Sequence, residues 1–456
     1  MTDDSDRLGF LTDLSRHLTE ISADDLPETT VENVEHCFLD TIGVALAGST
    51  QPVATITGDL AQTSSGGSGP ASIWGRDANA SIFDAILANG TASHALDFDD
   101  VTPSKTGHPS APVVAPVLAV TEHAGGFTGR DLVRSYAAGF EAQDLIAEIV
   151  NPEHYQRGFH STATMGTFGA AAAVASLLDL STTETRHALN VSASMATGLI
   201  RNFGSMTKPL HAGNAARAGA TAALLALDGF TGAEDAFTGR RGYFDLFFGE
   251  DVEYPTLSSN PDDLAIVRRG VFFKKYPSCN RTHTSIAAAA TLVKEHDVDP
   301  ANVGSITATV SQRARDVLLH DDPTTPLEGK FSLPYTIATA VVHGDVGIET
   351  FTEEALREPA VEAVRERVEF RVDPNLPYST YQSTVEMATK DGTVSETVVD
   401  PPGQYDNPMT RSELRTKFVE CAELVLPADV VADLADSLTD LGNADANEVA
   451  GIIGRL

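Results

Sequence analysis

Between Gly158 and Leu180 the chain reads GFHSTATMGTFGAAAAVASLLDL, a helical stretch rich in Gly, Ala, Ser and Thr. Side chains this small let neighbouring helices approach closely, so such a segment finds its partners only when it is buried on most sides. Thr182–Leu199 and Ala212–Leu227 have the same texture. The surrounding pattern predicts further helices over residues 8–22, from Pro27 to Gly48, from Ser81 into the stretch beyond Asn89, over Val113–His123 and over Asp131–Val150. Thr63–Pro70 reads as a Gly/Ser loop. Strand and helix do not alternate before about Asn260, which excludes a doubly wound sheet. Later the texture changes. Ser305–Ser311 and Val368–Val372 alternate like strands, and Thr384–Thr389 and Thr393–Val399 flank Lys390-Asp391-Gly392 as a hairpin. Helices are expected near Thr284–Lys294, Tyr335–Val342 and Thr352–Val364, and again over Ser412–Leu424 and Val430–Leu438. The expected fold is mainly α: a large all-helical domain from residues 1–268 and 401–456, interrupted by a smaller α+β domain over 269–400, with a cleft between them.

The balance of 64 acidic against 31 basic residues, in a chain of 456 with net charge −33, bounds the partners. No basic stripe exists to release counterions, so nucleic acid is not expected. Only eight lysines occur, Lys105, Lys208, Lys274, Lys275, Lys294, Lys330, Lys390 and Lys417. An acidic, lysine-poor chain suggests a cytoplasm of high salt, where repulsion is screened. The acidic start MTDDSDRLGF is unlike a signal peptide, and no apolar run has the length of a membrane span. Cys37, Cys279 and Cys421 lie too far apart for a disulfide framework or a zinc spacing.

Three clusters carry candidate chemistry. His94, Asp97, Asp99, Asp100 and His108 fall within fifteen positions, interleaved with Ala95, Leu96 and Phe98, and Pro103, Gly107 and Pro109 force a loop there. Tunable acids and imidazoles beside a loop suit acid–base work, although a solvated acidic helix end has the same composition. His160 stands where the small-residue helix begins, a place that lowers an imidazole's pKa. Lys208, in MTKPLHAGNAARAG, is a rare lysine among apolar and small residues; Lys208-Pro209 predicts extended or turn geometry, with His211 and a helix N-terminus following as a carboxylate receptor. In KKYPSCNRTHTSIAAAA, Lys274, Lys275, Arg281 and His283 gather positive charge before a helix. Cys279 beside His283 lacks a triad signature. Tyr335, in KFSLPYTIATA, is a candidate proton donor. The five acids and histidines of the first cluster could ligate a divalent ion, but HExxH and paired CxxC motifs are absent, as are glycine phosphate loops. Neither metal nor nucleotide cofactor is expected.

The segments ANGTASHALDFDD…GHPSAPVVAPVLA, RGFHSTATMGTFGAAAA, KPLHAGNAARAGATAALLA, DGFTG, YPSC…TH and KFSLPY, in this order, resemble the MmgE/PrpD family, which includes 2-methylcitrate dehydratase, cis-aconitate decarboxylase and iminodisuccinate epimerase. The resemblance implies a helical domain built from both chain ends, an α+β lid, a homodimer, no metal or organic cofactor, and a small di- or tricarboxylate substrate. It implies active-site positions at Asp97, His108, His160, Lys208, His283 and Tyr335, with Lys208, His211, Lys275 and Arg281 available to bind carboxylates. Two departures stand out. Val101, not a hydroxyl residue, follows DFDD, and the spacing from Asp97 to His108 is one residue longer than the family pattern. On this footing the expected activity is a hydro-lyase of the 2-methylcitrate dehydratase type, with a decarboxylase, an epimerase or a non-catalytic polycarboxylate binder as alternatives.

Overall fold

The computed structural model of the chain describes residues 4–102, 107–247, 253–390, 392–404 and 407–456, with side chains from Gly9 onward. Pro103, Lys105 and Asp391 lie outside the described residues. The first part is helical, with Asp4–Glu20, Glu28–Gly48, Pro52–Ser64, Ile82–His94, Ala111–Ala124, Gly129–Val150, Ser161–Leu177, Thr182–Ala193 and Thr207–Leu227 as its main helices. Local chemistry starts several of them. Ser81 accepts the Asp84 N–H, and Thr128–Asp131 and Ser181–Glu184 form reciprocal capping boxes.

Ser161–Leu177 is the central helix, and every residue in it except Ser176 is buried. It packs between Gly129–Val150 and Thr207–Leu227. Glycine sets the spacing: a Cβ on Gly219 would lie 2.4 Å from the Thr167 carbonyl oxygen, and one on Gly213 2.3 Å from that of Leu87. The second contact draws Thr207–Leu227 against Ile82–His94, and so brings the start of one helix to the end of the other.

The mixed sheet lies later in the chain. Val303–Val310 is flanked by Val368–Val372, parallel, and by Ser383–Thr389, antiparallel; Gly392–Val398 completes the order. His283–His296 and Leu333–His343 pack against it. Its core runs from Tyr276 to Met387 and takes in Phe203. The main helical core runs from Leu26 to Phe273 and resumes at Leu414, so the apolar side chains change core between Phe273 and Tyr276. Arg411–Ala422 returns to pack on Glu28–Gly48, where Phe418 fills the space that a side chain at Gly43 would occupy. The protein is therefore mainly α with a smaller α+β region, and no helix among the described residues is long and apolar enough to cross a membrane.

Three local expectations are corrected. The helix expected over Thr182–Leu199 ends at Ala193, and Leu199 pairs instead with Phe159 while Gly198 accepts the His160 N–H at 3.0 Å. Lys208 and Pro209 are helical, not extended, because a proline in the first turn sacrifices no intrahelical hydrogen bond. The Pro52–Ser64 and Ala446–Ile453 helices, opened by Pro52 and by an Asp445–Glu448 capping box, were not among the expected elements.

Candidate active site

Ile82–His94 ends where the acidic cluster begins, and the chain turns through Asp97 with φ 51°. Aspartate tolerates this left-handed conformation better than most residues. The turn is buried, so its carbonyls need donors that neither helix nor sheet supplies. Long side chains supply them. Lys330 Nζ donates to Leu96 O at 2.8 Å, Lys274 Nζ donates to Asp97 O, Lys417 Nζ donates to Phe98 O at 2.8 Å, and His108 Nδ1 lies 3.2 Å from Asp99 O. These three lysines and Lys208, four of the eight, are thus buried around one turn. Burial pushes the Lys330 ammonium down to about 7.

The carboxylates of the turn are also occupied. Asp97 Oδ1 lies 2.7 Å from Lys274 Nζ, and Oδ2 lies 3.0 Å from Lys208 Nζ. Burial alone would raise this acid, but the two ammoniums outweigh it and hold Asp97 well below the usual carboxylate range. Asp99 lies between two rings, 2.9 Å from His94 Nδ1 and 3.0 Å from His108 Nδ1, and these imidazoles likewise overcome burial and lower it. With both Nδ1–H groups donating to Asp99, each ring's Nε2 is directed elsewhere. That of His108 lies 3.4 Å from Asp97 Oδ1. Burial lowers His108 despite Asp99, and lowers His94 to about 4. The His108 N–H is fixed by Thr162 Oγ1 at 3.0 Å.

His160 is the N-cap of the central helix. Its Nδ1 lies 3.0 Å from His211 Nδ1, and its ring stands edge-on to Phe203. The pKa is well below normal, as the sequence position suggests, but the leading causes are burial and then the Lys208 charge. His211 is lowered to about 4, again by burial first. Burial therefore favours the neutral form of the imidazoles, while their neighbours favour the charged form of Asp97 and Asp99.

Asp97, His108, His160, Lys208 and Arg281 line one cleft, together with Val101, Thr102, Tyr155, Phe203, Cys279, Arg313, Phe331 and Tyr381. His211 lies behind His160. Three other expected site residues lie elsewhere. His283 is fully buried, with Nε2 3.2 Å from the Ser278 carbonyl and its ring edge-on to Tyr276. The Tyr335 hydroxyl donates to Thr350 O at 2.6 Å within the sheet-side core. Lys275 is exposed above the Tyr276 ring, and its neighbour Lys274 reaches the site. Burial raises the Cys279 thiol, which leaves it a poor nucleophile. At the first departure, Val101 pairs its backbone with Phe272, and the next residue, Thr102, places Oγ1 3.4 Å from Gly270 O.

His94, Asp97, Asp99 and His108 each bring one donor atom within 4.8 Å of the others. A divalent ion there would compete with two ammoniums for Asp97 and with two ring N–H groups for Asp99, so both carboxylates are already engaged within the protein, while His94 Nε2 is buried without a hydrogen-bond partner among the described residues.

Comparison with known proteins agrees with this architecture. The model of the MmgE/PrpD N-terminal domain matches residues 12–255, and that of the MmgE/PrpD C-terminal domain matches residues 276–440. Cis-aconitate decarboxylase of Mus musculus is 28% identical over 440 residues, covering 92% of this chain and 89% of the relative. That of Homo sapiens is 27% identical, covering 91% and 88%. The mitochondrial 2-methylcitrate dehydratase of Yarrowia lipolytica is 23% identical, covering 81% and 75%. With one domain model on the helical part and the other on the sheet-bearing part, in chain order, the chain belongs to the MmgE/PrpD family.

Proposed function

We propose that this protein is a lyase acting on a small polycarboxylate, with decarboxylation of a cis-aconitate-like acid as the leading activity and dehydration of a 2-methylcitrate-like acid as the second. One observation carries the reading: an ammonium, Lys208, and two imidazoles, His108 and His160, line a single cleft around the Asp97 carboxylate. The relatives named cis-aconitate decarboxylase cover about nine-tenths of the chain, which supports placing decarboxylation ahead of the dehydration expected from sequence.

In decarboxylation the bond between carbon and the departing carboxylate breaks. Its electron pair passes into the carbon skeleton, CO2 leaves, and one proton is taken up at carbon. Lys208 sits where it can neutralise charge that builds beside a retained carboxylate. His108 can carry the proton at Nε2; Asp99 holds its other nitrogen, and Asp97 steadies the ring when charged. His160 is a second candidate for the same role. Dehydration uses the same groups in another order: a neutral imidazole takes the proton next to a carboxylate, the C–H electron pair becomes the new C=C bond, the C–O bond breaks, and the proton is handed to the departing hydroxyl, which leaves as water. The lowered imidazole pKa values favour that base role, and the Yarrowia relative carries the corresponding name.

The test is incubation with 2-methylcitrate, citrate, cis-aconitate and iminodisuccinate in concentrated KCl, followed by proton NMR in D2O. Loss of CO2 from cis-aconitate is the expected result, and loss of water from 2-methylcitrate would move the second reading to first place. No turnover and no deuterium exchange with any of the four would overturn the lyase reading.

A further inference from the structure

The cleft has a second wall, on the sheet-bearing side, and its charges are not paired with any carboxylate among the described residues. Arg281 lies in the turn before His283–His296 and is 6% exposed. Its Nη1 donates to Thr380 O at 2.6 Å, while Nη2 is buried with no hydrogen-bond partner among the described residues. Its guanidinium lies 3.7 Å above the centre of the Tyr381 ring. Arg313, on Gln312–Val317, lies 4.9 Å above the Tyr155 ring, and its Nε is also buried without a partner among the described residues. Both arginines line the same cleft as Lys208 and His160.

Among the described residues no carboxylate lies within ion-pair distance of either guanidinium, whereas Lys208, Lys274 and Lys417 each have an aspartate within 3.0 Å. In a chain with twice as many acids as bases this gap is informative. Two like charges share one wall, and Arg313 adds to the effect of burial in lowering Arg281. The tyrosine faces hold both guanidinium groups in place, and Arg281 Nη2 and Arg313 Nε are left to donate to a carboxylate.

We propose that Arg281 and Arg313 form a second carboxylate site, which holds the end of the substrate remote from Lys208 and makes the cleft selective for acids with at least two separated carboxylates. This rests on the reading of the cleft as a polycarboxylate site and deepens it, by giving each end of the ligand its own receptor. Arg281 takes one face of the distal carboxylate from a fixed position. Arg313, with fewer ties to the backbone, is the better residue to vary.

Calorimetric titration of the whole protein in concentrated KCl tests this with three unreactive probes: tricarballylate, glutarate and butyrate. Tricarballylate and glutarate should bind and butyrate should bind far more weakly. Arg313→Gln should weaken the two polycarboxylates by roughly tenfold or more and leave butyrate unchanged, since it removes one charge-assisted contact. Arg313→Lys should recover part of the loss. Arg281→Gln should act in the same direction, with circular dichroism confirming the fold. Unchanged polycarboxylate binding in Arg313→Gln, equal weakening of all three probes, or no binding of tricarballylate to the wild type at about 10 mM would each overturn the proposal. The outcomes separate from those of the activity test. Arginine-dependent binding without turnover would sink the lyase reading alone. Turnover of cis-aconitate with a Michaelis constant indifferent to Arg313→Gln would sink this inference alone.

Discussion

Asp99 and Asp100 are neighbours in sequence and both fully buried, yet their surroundings drive them in opposite directions. Asp99 faces the His94 and His108 rings, which overcome the effect of burial and hold it far below the usual carboxylate range. Asp100 faces Ser110 and, across the core, Asp40. Burial and then the Asp40 charge push it well above that range. The Ser110 hydroxyl also meets Tyr136 at 2.6 Å, and Asp40 pairs with Lys417 at 2.6 Å. One acid therefore belongs to the imidazole cluster at the cleft. The other belongs to a structural strut that runs from Glu28–Gly48 to Arg411–Ala422. Two adjacent aspartates of one motif do different work because the partners differ, and a count of acids says nothing about which does which.

The largest expected effect falls on the cleft side. Lys208→Met should lower kcat/KM by ~10³-fold or more, since on the proposed reading it removes the cation that neutralises charge beside the retained carboxylate. Asp97→Asn should do comparable damage, because it releases both lysines. A loss below tenfold in either variant would remove that residue from the chemistry. On the strut side, Lys417→Met leaves Asp40 facing Asp100 without a cation, and a broken buried pair costs about 3–5 kcal/mol. Urea unfolding should show this, and Asp40→Asn in the same chain should restore most of it. If Lys417→Met unfolds at the wild-type denaturant concentration, the strut is not holding the C-terminal helices. Asp99→Asn comes next: ~10²-fold in kcat, from lost control of the His108 tautomer, together with a displaced pH–rate profile. A rate change without any movement of that profile would make Asp99 a packing residue only.

Much of this was legible in the sequence, and the reasons are physical. The small-residue pattern at Gly158–Leu180 implies a buried helix whatever the neighbours are, and Val368–Val372 alternates over the same residues that form the strand. Asp97, His108, His160 and Lys208 could be found because each sits beside a helix end or a break, where polar side chains converge. His283 and Tyr335 share those local signs, but whether such a ring faces a cleft or a core depends on how its helix docks. The lysines that hold the Asp97 turn were harder still. Lys330 and Lys417 reach carbonyls 234 and 319 positions away. The one available signal was their rarity: a chain that places few lysines on its surface keeps several for positions where a long flexible donor is needed in the interior. Arg313 gave no signal at all, since the aromatic faces that position it come from distant parts of the chain.

The smallest expected effect is a difference of slope, and it sharpens the comparison of the two neighbouring acids most directly. Asp99 has a folded pKa below its unfolded value of about 3.9, so the stability it contributes is fully present above that value and is lost as pH falls toward the folded one. Asp100 has a folded pKa above the same reference, so its contribution is fully present below that value and is lost as pH rises through the folded one. Asparagine titrates at neither position. Relative to wild type, Asp99→Asn should therefore gain stability as pH falls, and Asp100→Asn should gain it as pH rises. Urea unfolding of the three proteins at fixed KCl between about pH 2 and pH 9, so that the Asp99 limb below about pH 4 and the Asp100 limb above it both fall inside the range, measures this without reference to activity. The two difference curves should have opposite signs of slope. Parallel curves would mean that Asp99 and Asp100 ionise alike, and that the division between cleft acid and strut acid is wrong.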